Sequence, residues 1–203
     1  MKKVLSICLI ILLITGCKNV VEVETGKKDK SSKKILVVYY SRPGDNYNVG
    51  KIEVGNTKMV ANYIIDYLKA DSFEIEPTTP YPDDYETTTD IAKKEQQENA
   101  RPNIKNKLNN INDYDTIFLG YPIWWGDMPM IVYTFIENYD LSGKTVIPFN
   151  THEGSGSAGT YEKLKTKLNK STVNTDGLAL EGKVSRTNSG KKETLKWLKK
   201  LGY

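Results

Sequence analysis

Three stretches of the chain are short, continuously apolar and rich in β-branched or aromatic side chains: I-L-V-V-Y-Y from Ile35 to Tyr40, T-I-F-L-G-Y from Thr116 to Tyr121, and T-V-I-P-F-N from Thr145 to Asn150. A strand with one wet face alternates apolar and polar residues; a strand buried on both faces does not. Between and after these runs the period changes to that of a helix. From Asn56 to Ala70, apolar side chains recur at Val60, Tyr63/Ile64 and Tyr67/Leu68. Similar spacing marks Met130 to Tyr139, the segment around Tyr161, Leu164 and Leu168, and the closing Leu195, Leu198 and Leu201. Asp83 to Asn99 is polar and reads as an outer helix. Phe73 to Glu76 and Leu178 to Leu180 read as two shorter strands, the second at an edge. Such alternation predicts one α/β domain, a five-stranded parallel sheet wound on both faces by helices.

In open parallel sheets ligands bind beyond the carboxyl ends of the strands, where the strand order reverses. The loops after Tyr40, Tyr121 and Asn150 are therefore the candidate site. The first, Ser41 to Gly55, leads into a helix at Asn56-Thr57. A helix N-terminus holds phosphate through unpaired N–H groups without needing a lysine, and Ser41, Asn56 and Thr57 add hydroxyl and amide donors. The alternative is that Asn56 or Thr57 simply caps the helix. Arg42 is either the one nearby positive charge or a solvated side chain.

The second loop, G-Y-P-I-W-W-G-D-M-P, carries adjacent tryptophans, Trp124 and Trp125, whose flat faces suit a conjugated ring. One is expected in the core and one toward the ligand. Trp125, beside Gly126, is the one expected to face it. The third loop, N-T-H-E-G-S-G-S, has glycines that permit close backbone approach and holds His152, the only histidine. A lone histidine is more often structural or solvated than catalytic.

The first residues read separately. Lys2 and Lys3 precede an apolar stretch from Val4 to Ile14, interrupted only by Ser6, and then Thr15-Gly16-Cys17. That is the layout of a secretory signal, too short for a mature membrane span. I-T-G-C resembles a bacterial lipobox, with Cys17 lipidated and residues 1–16 removed; the alternative is a plain signal peptide with an incidental cysteine. Lys18 to Lys34 is polar and aperiodic, a tether able to reach about 55 Å when extended. From Ile35 onward, 21 basic and 22 acidic residues remain. The folded domain is thus nearly neutral, which gives no signal for nucleic acid. No metal site and no catalytic side chain is assigned.

A phosphate end, an aromatic wall and a glycine-rich wall together resemble the flavodoxin family over residues 34–203. The resemblance implies strand order 2-1-3-4-5 and bound FMN. The family's compact phosphate loop is split here into Ser41-Arg42 and Gly55-Asn56-Thr57 by an insert, Pro43 to Val54, expected to fold back beside the phosphate through Asn46, Tyr47 and Asn48. It further implies that Ser41, Arg42, Asn48, Asn56 and Thr57 serve the phosphate end. Pro122, Ile123, Trp124, Trp125, Gly126, Thr151, His152, Gly154, Ser155 and Gly156 would surround the ring. Backbone near Trp125, Gly126 and Asp127 would meet flavin N5.

Three functions are compatible. The first is a membrane-anchored carrier passing electrons between redox partners, or to a small-molecule acceptor, outside the cytoplasm. The second is an FMN-dependent NAD(P)H quinone or small-molecule reductase. The third is a non-redox surface lipoprotein on the same scaffold, which the paired tryptophans disfavour.

Overall fold

The computed structural model describes residues 34–203; the signal, the Cys17 lipobox and the tether lie outside the described residues. The sheet is built from β1 (Ile35–Tyr39), β4 (Asp71–Glu74), β5 (Thr116–Pro122), β6 (Thr145–His152), β7 (Thr172–Val173) and β8 (Leu178–Glu181). All pair in parallel, in the order β4-β1-β5-β6, with β7 and β8 both on the free side of β6. Counting the five strands expected from the sequence, the order is 2-1-3-4-5. The second begins two residues earlier than expected, at Asp71.

The continuous apolar runs have a direct cause. Leu36 and Val38 of β1, with Ile117, Leu119 and Tyr121 of β5, face one core, closed by α3 (Met130–Asn138) and α4 (Thr160–Lys167). Their neighbours Val37, Tyr39 and Phe118 face the other, closed by α1 (Asn56–Leu68) and α6 (Asn188–Lys200). Both faces of β1 and β5 are dry, so an unpartnered polar side chain in these strands is costly.

The fifth position in the sheet is split, and Pro148 explains why. Val146 accepts from Asn174 N–H at 2.9 Å across the outer edge of β6. Two residues on, Pro148 faces the same side without a donor. β7 pairs as far as Val146 and β8 resumes at Phe149, so the interruption falls opposite the proline.

The insert after β1 forms a small antiparallel hairpin, β2 (Gly44–Asn46) and β3 (Gly50–Ile52), turning through Asn48 at φ 58°. α2 (Tyr85–Gln97), capped by the Asp84 carboxylate on Thr87 N–H, lies beside it. A single helical turn, α5 (Gly182–Ser185), follows β8. No helix among the described residues is long and apolar enough to cross a membrane.

Candidate functional site

The carboxyl ends of β1, β5 and β6 open into one cavity of about 300 Å³. Loop two and loop three are knitted together at its floor: Ile123 N–H donates to the Thr151 carbonyl at 2.9 Å. The fully buried Asn150 braces loop three from beneath, accepting from Tyr161 OH at 2.5 Å and donating to the Gly156 carbonyl at 3.0 Å.

The polar end lies at the start of α1. Its N-cap is Gly55, which has no side chain to offer, and Lys58 N–H is taken by Ser41 Oγ at 3.0 Å. Among the described residues no acceptor meets the N–H of Asn56 or of Thr57. Two aligned, unpaired donors at a helix N-terminus are an anion site. A Cβ on Gly55 would overlap Ser41 Oγ, so glycine is required for the close approach of the two halves of the split loop.

The aromatic end is a tight turn. Trp124 and Asp127 exchange both backbone hydrogen bonds, at 2.8 and 3.0 Å. Between them Trp125 has φ 49° and Gly126 φ 71°. Positive φ at both central residues defines a type I′ turn, which glycine accepts freely and tryptophan does not. Trp124 turns toward the core, edge-on to Tyr81 and Tyr40 with ring centroids 5.1 and 5.5 Å away. Trp125 turns outward and is 52% exposed, its indole N–H donating to the Thr89 carbonyl at 2.8 Å. Lys93 Nζ stands 5.0 Å from its ring centre. The turn is anchored by the Asp127 carboxylate, which accepts from Tyr133 OH at 3.0 Å and Lys163 Nζ at 2.6 Å.

Of the residues expected at the site, Arg42, Asn56, Pro122, Ile123, Trp124, Trp125, Gly126, Thr151, His152 and Ser155 line this cavity. Thr57 sits behind it, its buried hydroxyl 2.8 Å from that of Thr151. Ser41 is engaged as the cap described above. Gly154 and Gly156 take positive φ in loop three with open space where a Cβ would stand, and His152 Nδ1 accepts the Gly154 N–H at 3.0 Å. That bond uses a neutral ring nitrogen, and burial pushes the His152 pKa down, opposed by Glu181.

Arg42 is neither solvated nor free for an anion. It is only 7% exposed, and its nitrogens donate to the carbonyls of Asp45, Pro82, Asp83 and Asp84. It staples the hairpin to the start of α2. The hairpin does fold back beside the split loop: Asn46 and Tyr47 line the same cavity as Asn56, and Tyr47 stacks on Tyr85 of α2 at 5.9 Å. In the same turn Asn48 lies beside the Glu153 carboxylate, which burial pushes up in pKa against the pull of Gly182 N–H and of Asn48.

The wall that sequence reasoning missed is α2. Tyr85, Thr88, Thr89 and Ala92 face the cavity, as does Glu153. Their spacing is a helical stripe, and Thr88 and Ala92 are both buried. The signal was therefore present, but small residues carry little apolar weight in a polar helix.

A doubly wound parallel sheet with unpaired helix N–H groups and an aromatic turn at the carboxyl ends of its strands places this class of α/β protein's ligand position here. The family model described as flavodoxin matches residues 34–201, and the chain belongs to the flavodoxin family. A Bacteroides eggerthii DSM 20697 protein classed as a flavoprotein is 32% identical, with a TM-score of 0.66, covering 84% of this chain and 98% of that one. One from Bacteroides uniformis ATCC 8492 is 27% identical, TM-score 0.65, covering 82% and 98%. A Lactobacillus acidophilus NCFM flavoprotein solved in complex with FMN is 25% identical, TM-score 0.58, covering 75% and 96%. No curated protein sequence matches the chain.

Proposed function

We propose that the chain binds FMN in this cavity and serves as an electron carrier, held outside the cytoplasm by a lipid on Cys17. The observation that carries the cofactor is the pair of unpaired N–H groups at the start of α1, set at one end of a cavity whose other end is an exposed tryptophan turn. The similar L. acidophilus protein was solved with FMN. Asn56 and Thr57 N–H would hold the phosphate, each charge-assisted bond contributing about 1.5–3 kcal/mol. Trp125 and the Gly126 backbone would border the ring, and loop three would cover its polar edge. Bound FMN would supply one- and two-electron redox chemistry. Carriage is favoured over reduction of a bound substrate because Trp125, bordering the ring, stands at the exposed rim where a partner has access.

The purified domain, stripped of flavin, should quench FMN fluorescence on binding and prefer FMN to riboflavin. Equal affinity for the two would place the phosphate elsewhere. Under anaerobic conditions NADH or NADPH alone should leave the flavin band intact, and direct bleaching would make the protein a reductase. For the anchor, Cys17→Ser should release the protein from the membrane or leave the signal uncleaved. Retention on the membrane at mature size would refute lipidation.

A further inference from the structure

The phosphate end has a cation that does not line the cavity. Arg186 closes the short helix α5, far along the chain from the split loop. Its Nη1 donates to the Val54 carbonyl at 2.6 Å and approaches Asn56 Oδ1 at 3.3 Å. It thus grips the residues on both sides of Gly55, where α1 begins. Among the described residues it forms no ion pair, and its Nε and Nη2 meet no acceptor. Arg42, the arginine that sequence places nearest, is by contrast spent on four carbonyls.

Two consequences follow from this placement. With Oδ1 of Asn56 toward the guanidinium, the amide must present Nδ2 on its other side. Nδ2 packs against Gly182, where a Cβ would stand 2.5 Å from it and would also overlap the Glu153 carboxylate that accepts from Gly182 N–H. The Val54–Asn56 backbone is also fixed where it sets the direction of the unpaired N–H groups. A positive charge with no ion pair among the described residues, bonded to Val54 and Asn56 beside those donors, adds to the helix field in favour of an anion.

We propose that Arg186 is the positioning residue that gives this site its preference for a phosphorylated flavin, acting through Asn56 and the start of α1. This rests on the FMN reading above. The test is the ratio of Kd values for FMN and riboflavin, read by flavin fluorescence on purified domain, with thermal melts run alongside. Arg186→Gln should weaken FMN about tenfold and leave riboflavin unchanged. Arg186→Lys keeps the charge but loses the planar grip, and should recover part of the ratio; it also serves if the glutamine variant does not fold. Raising salt should narrow the wild-type ratio and leave that of Arg186→Gln nearly flat. Equal losses for both flavins, or an unchanged ratio in both variants, would reduce Arg186 to a structural tie and overturn the proposal. Wild-type protein that fails to bind either flavin would instead sink the FMN reading itself.

Discussion

Trp125 sits at φ 49° in a position where glycine would be at ease, and that permits a test of the turn independent of any cofactor. Consider Trp125→Ala and Trp125→Gly together. Both delete the indole hydrogen bond to Thr89 and the Lys93 contact, so those losses cancel in the comparison. What remains is backbone. An L-residue held in the left-handed region costs about 1–2 kcal/mol, which glycine escapes. Against this, glycine gives the unfolded chain more freedom, worth roughly 0.5–1 kcal/mol in the other direction. The net is about 0.5–1 kcal/mol in favour of Trp125→Gly. With an m-value near 2 kcal/mol/M for urea, the midpoint of the glycine variant should lie about 0.3–0.5 M above that of the alanine variant. At an ordinary extended or helical position the order is the reverse. Equilibrium urea unfolding of the flavin-free domain, with m shared between the variants, decides it. An alanine variant as stable as the glycine variant, or more so, would mean that the turn is not type I′ in solution. Both variants should lose flavin quenching alike, because both remove the same ring.

Trp124→Ala should instead lower stability by about 3 kcal/mol, the low end for a large aromatic truncation because the ring is only partly buried, and thermal or urea unfolding measures it. Thr57→Val should cost about 1–3 kcal/mol by stranding the buried Thr151 hydroxyl, whereas Thr57→Val with Thr151→Val should return close to wild type; a double-mutant cycle with no coupling would refute the pairing. Glu95 accepts from Tyr81 OH at 2.7 Å, and burial raises its pKa above the usual carboxylate value. A raised folded-state pKa contributes stability below the unfolded pKa and loses it as pH rises through the folded one. Glu95→Gln, which can still accept from Tyr81, should therefore stabilise the domain at neutral pH, with the gain vanishing as pH falls below about 4.5; a pH-independent difference would contradict this.

The parts legible in the sequence were those set by local pattern. Unbroken apolar runs at Ile35–Tyr40, Thr116–Tyr121 and Thr145–Asn150 required dry faces on both sides of a sheet, and the helices between them required parallel crossovers. From that, the three loops at one end of the sheet were the place to look, and the opposite orientations of Trp124 and Trp125 followed from the Pro122 and Gly126 that flank them. α2 was read as an outer helix because its sequence is polar. Its Tyr85, Thr88, Thr89 and Ala92 became a cavity wall only when the hairpin and the tryptophan turn were brought against it.

Sequence alone thus determined the layered α/β architecture and pointed to the strand ends as the place to look for a site, because burial on two faces and helical period are properties of neighbours along the chain. Only the tertiary structure decided which arginine stands at the start of α1. Arg42 and Arg186 look equivalent as letters, and Arg42 is the nearer to the loop. Four backbone carbonyls from the hairpin and the start of α2 converge on Arg42 and consume its donors, while the fold carries Arg186 across from beyond β8 to the first turn of α1. Which groups remain unpaired at a site depends on contacts between segments far apart in the chain, and no local pattern encodes that.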